Sequence, residues 1–548
     1  MRYLLILIVF LAACGPKEES INKFSDDGLV RIYELQDQRN TAELLPLLKA
    51  KKESHRIAAA LAFASIQDTT AIPYLNQMLQ IGQDPMPRRA AAFALGQIGS
   101  SKSLGILKSA FDGELFNANR PYIMEAIGKC GDSSTLALFE KVEYTENSLI
   151  QGWAYGVFRL GLKGFRSKSL NDRMMKLLND DNKDLAILAS HYVYRDLRGN
   201  ENNEFVDSLI SVARYDEVKD RFSLLANGQD PEDIERSVFG RPWLVKYNTA
   251  NDYERAQLID ELKREYTSAQ LFLENTIKSD STSAVIKNVA FSKYCAFYPL
   301  KKWDVILDAL RSGDMALQSL AAIEIQTIHK PKYSSEEKLM INDLYEACIN
   351  VKSQLKLSQQ AETYIDICKA IEALGGEKFE GYQPKYNHPI DWAFVKSIPA
   401  EQKVLISTTQ GNITLQLFVE DAPGTVSNFL RLVDSGFYDE KYFHRVVPQF
   451  VIQGGCPRGD GWGSLNWTQR SEFSNYQSYE AGTVGVASAG KDTEGVQFFI
   501  THCPTPHLDG RYSIFARVTE GMDVVNKISV GDKMLKVERI KSVSEESQ

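Results

Sequence analysis

The sequence predicts two architectures in one chain, an all-α helical solenoid followed by a closed β-barrel. Small-residue helical patterns recur 32 residues apart: AAALAFASIQD, from Ala58, aligns with AAAFALGQIGS, from Ala90. Past residue 402 the hydrophobic period changes from helical to alternating, and many short strand-like runs with one or two helices follow within about 145 residues. At 548 residues the chain is also too long for a single core.

The first residues are a targeting segment. Arg2 precedes an apolar run over 4–11, too short to cross a hydrocarbon core of about 30 Å as a helix. Small residues then lead into Cys14, and LAAC at 11–14 resembles the lipobox of bacterial lipoproteins. The resemblance implies a signal peptide over 1–13, lipidation of Cys14, and a lipidated tether over 14–39 that binds the membrane through acyl chains. An ordinary secretory signal with an incidental Cys14 is the alternative. Gly15, where Asp would mark inner-membrane retention, favours an outer-membrane address in the bacterial envelope, on the periplasmic face or the cell surface.

Composition bounds the rest. Hydrophobic residues at 44% and charged residues at 24% fit a packed soluble protein. A net charge of -8 argues against nucleic acid as a partner, because phosphate binding needs a basic face. The six cysteines beyond Cys14 are scattered without a C-x-x-C or a zinc or haem pattern, and sequence assigns them no disulfide. Cys130, Cys348 and Cys368 sit in apolar helical patterns as core residues. No metal or cofactor is expected.

Repeats occupy residues 40–204. A further 32-residue step brings Gly96 and Gly99 onto Gly128 and Gly131, and Gly161 ends a fourth copy at shorter spacing. Each unit has a small-residue helix, a stop, and an amphipathic helix such as AIPYLNQML or SLGILKSAF. Such a hairpin buries its apolar face only by stacking on its neighbours. With arginines at 56, 89 and 120 near the unit starts, the pattern resembles HEAT-type repeats. Over 205–375 helical spacing persists while the repeat blurs, which predicts an irregular continuation of the solenoid, with a separate helical domain as the alternative. Gly, Pro and Asn then mark a linker over 376–402. KVLISTTQGNITLQLF reads as two strands around a turn, TVSNFLRLVDSGFY as a helix, and GTVGVASAG, GVQFFITHC and RYSIFARV as further strands; residues 541–548 are a tail.

FHRVVPQFVIQGG, over 443–455, carries Arg445 with no acid inside the stretch. Alternation places Phe443, Arg445 and Val447 on one strand face and His444 and Val446 on the other. Val451 and Gln453 share a face, as do Gln497 and Phe499. An arginine and two amides beside aromatic surface, without a nucleophile, carboxylate pair or metal cluster, suit a reaction that breaks no covalent bond. Rotation about an X-Pro peptide bond is one: amide resonance opposes it by about 18–20 kcal/mol. In the twisted transition state the prolyl nitrogen gains a lone pair, and a donor aimed at it binds that state better than the planar one. Taken alone, Arg445 could equally be a structural cation paired with a remote acid.

The same stretch, with GVASAG, QFFITHCPTPHLDGRYSIFARV and APGTVSNFLRLVDSGFYDEKYFHR, resembles the cyclophilin-type peptidyl-prolyl cis-trans isomerases over residues 403–540. The resemblance implies an eight-stranded antiparallel barrel with two capping helices. It implies that Arg445 is catalytic, that Phe450, Phe499 and Leu508 hold the proline, and that Gln453 and Gln497 hold the substrate backbone. Ala487, Ser488 and Ala489 would line the groove, with His444 beside the arginine. Val451 stands where methionine is usual, His507 where a tryptophan tied to cyclosporin binding is usual, and Tyr512 where a rim histidine is usual. Ser488 stands where an asparagine is usual whose backbone contacts the substrate, a contact that the change leaves available. The expected function is isomerisation of X-Pro bonds in proline-containing envelope clients, with the helical repeats as a docking surface for a client or envelope partner. The alternative is a scaffold or chaperone that uses the barrel only to bind proline segments.

Overall fold

The computed structural model describes residues 21–80, 84–114, 117–143, 147–197, 203–226, 241–262, 269–299, 301–328 and 335–540. The expected signal peptide, Cys14 and the expected tail from 541 lie outside them.

The first helical region is a two-layer stack. Helices Glu53–Ile66, Pro85–Ile98, Arg120–Cys130, Asn147–Leu162, Lys183–Leu197 and Asp216–Ala226 pack one on the next as one layer. Helices Ile72–Gln80, Leu104–Gly113, Leu136–Lys141, Lys168–Lys176 and Asn203–Val212 form the other. Small residues allow the close stacking: a Cβ on Gly128 would lie 2.3 Å from the carbonyl oxygen of Gly156 on the neighbouring helix. Between repeats, Arg56 pairs with Asp84 at 3.1 Å and Arg88 with Glu114 at 2.8 Å. Arg88, rather than Arg89, therefore holds the repeating position, and Arg89 turns away to donate to the Asn475 carbonyl at 3.2 Å.

From residue 21 on, the stretch expected to be a tether up to residue 39 is packed structure. Phe24 is fully buried, helix Asp27–Asp37 opens the stack, and Asn22 Nδ2 donates to the Val395 and Ile398 carbonyls, 2.8 Å each. The buried Asn22 amide found partners more than 370 positions away, which local composition does not reveal. The expected linker is likewise engaged at its C-terminal end. Tyr386 Oη donates to Asp37 at 2.8 Å, and Val395 in helix Trp392–Ser397 completes the core of the first helical region.

Helices Asp252–Asp260, Ala284–Phe297, Met315–Ile325 and Ala361–Ala373 continue the stacking, with Ala269–Lys278, Lys302–Arg311 and Ser335–Gln354 on their other side. They enclose a core of their own around Phe291, Ile306 and Leu344.

Strands β1 (Lys403–Thr408), β2 (Gly411–Leu417), β3 (Lys441–Val447), β4 (Val451–Gly454), β5 (Thr483–Val486), β6 (Phe498–Thr501), β7 (Ile514–Glu520) and β8 (Lys533–Ile540) close a barrel in the order β1-β2-β7-β5-β6-β4-β3-β8. Every pairing is antiparallel. Helix Pro423–Asp434 and the short helix Met522–Val525 cap it. Buried Glu472 accepts the Gly424 and Thr425 amides at 3.0 and 2.8 Å, satisfying the first turn of the longer helix.

The barrel packs against the main layer of both helical regions. Phe473 N donates to Ser65 Oγ at 2.9 Å and Lys491 Nζ to the Ile66 carbonyl at 2.9 Å. Further along, Tyr253 Oη donates to the Gly459 carbonyl at 2.6 Å, and Arg458 pairs with Asp314 at 2.8 Å. At these points the repeats are occupied by the chain's own barrel.

Candidate active site

The geometry of β3 departs from simple alternation. A bulge between Phe443 and Arg445 shifts the register, so that Phe443 pairs with Gly454 and Arg445 with Gln453. Phe443 and Val446 turn into the barrel core while Arg445 is exposed, because one extra residue re-aims every side chain after it. A cross-strand row then runs over the outer face: Arg445 on β3, Gln453 on β4, Phe499 on β6 and Gly485 on β5. The adjacent row of Val446, Ile452, Ile500 and Val484 fills the interior.

Above this outer row is a cavity of about 580 Å³. His444, Arg445, Phe450, Val451 and Gln453 line it from β3, β4 and their turn. Ala487, Ser488, Ala489, Gln497 and Phe499 contribute from around β5 and β6, and Leu508 and Tyr512 from the loop before β7. His507 does not line it. Its ring stacks on Phe450 at 5.4 Å and lies 5.2 Å from the His191 ring, so it backs the pocket from the solenoid side.

The apolar part is a small cluster separate from the barrel core, built on Val451, Tyr479, Phe499, Leu508 and Ile514, with Phe450, Ala487 and Tyr512 at its edge. Tyr479 stacks under Phe499 at 5.5 Å and Tyr512 meets it edge-on at 5.6 Å. Gly485 makes this possible: a Cβ there would lie 2.1 Å from Tyr479 Oη and 2.6 Å from Phe499 Cζ. Sequence reasoning passed over it, although a glycine inside a strand is a sign of close approach. Gly485→Ala is expected to destabilise the protein by about 1–3 kcal/mol and to raise KM by tilting Phe499 into the cavity. Thermal unfolding and steady-state kinetics check both.

The polar part is a relay. Arg445 Nη1 donates to Gln453 Oε1 at 3.3 Å, and Gln453 Nε2 donates to Gln497 Oε1 at 3.1 Å. Gln497 Nε2 ends on the Gly461 and Gly463 carbonyls at 2.8 and 2.9 Å. The arginine has no carboxylate partner among the described residues; desolvation draws its pKa below the ordinary value and Tyr512 opposes this. Burial, opposed by Asp460 and assisted by Arg445, pushes His444 down to about 4, so it is neutral at pH 7 and Arg445 is the cavity's one standing cation among the described residues.

Residues 403–545 match the family described as cyclophilin type peptidyl-prolyl cis-trans isomerase/CLD, and residues 41–116 match HEAT repeats. Among curated relatives, peptidyl-prolyl cis-trans isomerase B of Bacillus subtilis is 49% identical over 126 residues, 23% of this chain and 88% of that protein. The Synechococcus elongatus peptidyl-prolyl cis-trans isomerase is 44% identical over 137 residues, 25% of this chain and 94% of that protein. One from Helicobacter pylori (strain J99) is 45% identical over 130 residues, 23% and 80% respectively. The chain belongs to the cyclophilin-type peptidyl-prolyl isomerase family. Its isomerase is the C-terminal barrel, carried behind HEAT repeats.

The helical regions reach the cyclophilin site in two places that no local sequence signal marks. Met315 and residues 358–363 form part of the cavity wall. On another side, Gln97 Nε2 donates to the Gly510 carbonyl at 2.7 Å, Arg159 Nη1 to that of Pro506 at 2.8 Å, and His191 Nε2 to that of Pro504 at 3.1 Å. Three helices of one layer thus grip the loop that carries Leu508.

This grip should weaken in acid. His191 is buried and held well below the ordinary histidine pKa, first by desolvation and then by Arg221, His507 and Arg195. His507 is pushed down to about 3 by burial and by Arg195, Arg221, Arg511 and Arg159. Both are neutral when folded, so the unfolded chain binds more protons below its histidine pKa of about 6.5. Stability they contribute is present above that pH and is lost as pH falls, by at most about 1.4 kcal/mol per unit for each. The unfolding midpoint should drop between pH 7 and 5, and His507→Phe should flatten that dependence.

Proposed function

We propose that the cyclophilin domain isomerises X-Pro bonds in extended segments of bacterial envelope clients, with Arg445 as the catalytic residue. The supporting observation is the Arg445 guanidinium, without a carboxylate partner among the described residues and oriented by Gln453 beside the Phe450, Phe499 and Leu508 surface of one cavity. In this reading the apolar cluster takes the prolyl ring, and Gln453 and Gln497 meet the backbone on either side. Arg445 donates to the prolyl nitrogen as its lone pair develops. A charged hydrogen bond is worth about 1.5–3 kcal/mol net, whereas a millionfold acceleration needs about 8. The pocket supplies the difference by fitting the twisted amide better than the planar one.

The docking role of the helical repeats then belongs to the part of them that faces this cavity, since their main layer meets the barrel elsewhere. Lipidation of Cys14 would hold the protein on a membrane, at the periplasmic face or surface of the outer membrane. The decisive assay is exchange NMR on a short X-Pro peptide with catalytic amounts of full-length protein. Catalysed exchange supports the reading, and exchange at the uncatalysed rate overturns it in favour of proline-segment binding alone.

A further inference from the structure

We infer that the wall formed by Met315 and residues 358–363 is a subsite for the client residue flanking the X-Pro pair, and that Glu362 selects lysine or arginine there. The inference rests on the isomerase reading of the Arg445 site. It begins from the asymmetry of the cavity's two walls. The barrel wall carries Arg445 and an occupied acid, since Asp460 takes Arg458 at 2.9 Å and Asn288 at 3.2 Å. The helical wall carries Glu362, exposed in the cavity and without a hydrogen-bond or ion-pair partner among the described residues. One turn on, Asp366 is taken by Ser319 at 2.9 Å. Glu362 is therefore the acid left for an incoming cation.

The wall is preformed. Ser358 is buried and held in the left-handed region at φ 73°, with its amide donating to Tyr382 Oη at 3.3 Å. Lys356 N donates to Gln360 Oε1 at 2.7 Å, and Thr363 Oγ1 donates to the Met315 carbonyl at 3.2 Å. The cavity's 580 Å³ is within the range of about 300–1,000 Å³ typical of ligand sites, room for more than a prolyl ring. Glutamate in the first turn of helix Ala361–Ala373 also suits the helix dipole, which would make it purely structural. The two roles are separable by substrate charge.

The test uses X-Pro peptides that carry lysine, glutamine or glutamate next to the pair, on either side, with full-length wild type and Glu362→Gln. On one side of the pair, kcat/KM for the lysine peptide should exceed that for the glutamate peptide by about 5- to 10-fold at low salt. That ratio should fall to about 1- to 2-fold in Glu362→Gln and invert in Glu362→Lys. Desolvation by the surrounding cavity walls and the charge of Asp366 raise the Glu362 carboxyl to about 7, against Lys369. Of the other ionisable groups on the cavity, Arg445 stays charged, His444 neutral and Asp460 engaged. The preference should therefore be strong at pH 8 and weak at pH 6. Equal ratios in wild type and Glu362→Gln on both sides overturn the subsite. Charge-selective peptide binding that depends on Glu362, without catalysed exchange, overturns the isomerase reading and leaves the subsite standing.

Discussion

Arg445→Ala should lower kcat/KM for a short X-Pro peptide by about 10- to 150-fold, the equivalent of a charged hydrogen bond worth about 1.5–3 kcal/mol. Stability should stay within about 0.5 kcal/mol of wild type. The reason is local: the side chain is exposed, makes one hydrogen bond at 3.3 Å to a neutral amide, and joins no ion pair among the described residues. Its removal costs the fold little and the transition state a great deal. Arg445→Lys should recover only part of the rate, because an ammonium keeps the charge without the planar fork that Gln453 orients. Exchange NMR gives the rate and thermal unfolding the control. An Arg445→Ala protein as fast as wild type would remove the arginine from the chemistry.

Arg159→Met is expected to destabilise the protein by about 3–5 kcal/mol and to raise KM more than it lowers kcat. Arg159 is buried where the repeats meet the barrel. It pairs with Glu125 at 2.7 Å and Asp509 at 3.5 Å while donating to the Pro506 carbonyl. Methionine keeps most of the packing and deletes the cation. Glu125 retains Lys129 at 3.1 Å, but Asp509 is left beside another carboxylate in a buried site. Burial, against Arg159, already raises Asp509 to about 6. It can shed its charge by protonation, so the loss should be smaller at pH 6 than at pH 8. The loop released by the substitution carries Leu508, hence the expected effect on substrate binding. A lowered melting temperature with an unchanged KM would confine the grip to stability.

Much of the architecture was legible because its signals are local. The 32-residue recurrence of alanine and glycine is what helices stacked at close range require, and Gly128 against Gly156 shows the contact behind it. Twelve of the thirteen residues expected at the site line one cavity, because strand and turn spacing brings β3, β4 and β6 together. His507 was misplaced: its ring is sequestered behind Phe450 by His191, a residue of another domain. The face assignment in β3 failed at Phe443, since a bulge belongs to the pairing of two strands and leaves no mark on the periodicity of one.

By itself the sequence determined the helical stack, the period change near residue 402, and the order of residues that places an arginine and two amides around an apolar pocket. Those depend on spacing within a few tens of residues. Only the tertiary structure decided that the repeats close on the barrel, that Gln97, Arg159 and His191 hold its Leu508 loop, and that Glu362 faces the cavity. These contacts join positions hundreds of residues apart, or a helical wall to a barrel wall, and they form between surfaces whose hydrophobic patterns are each complete without the other.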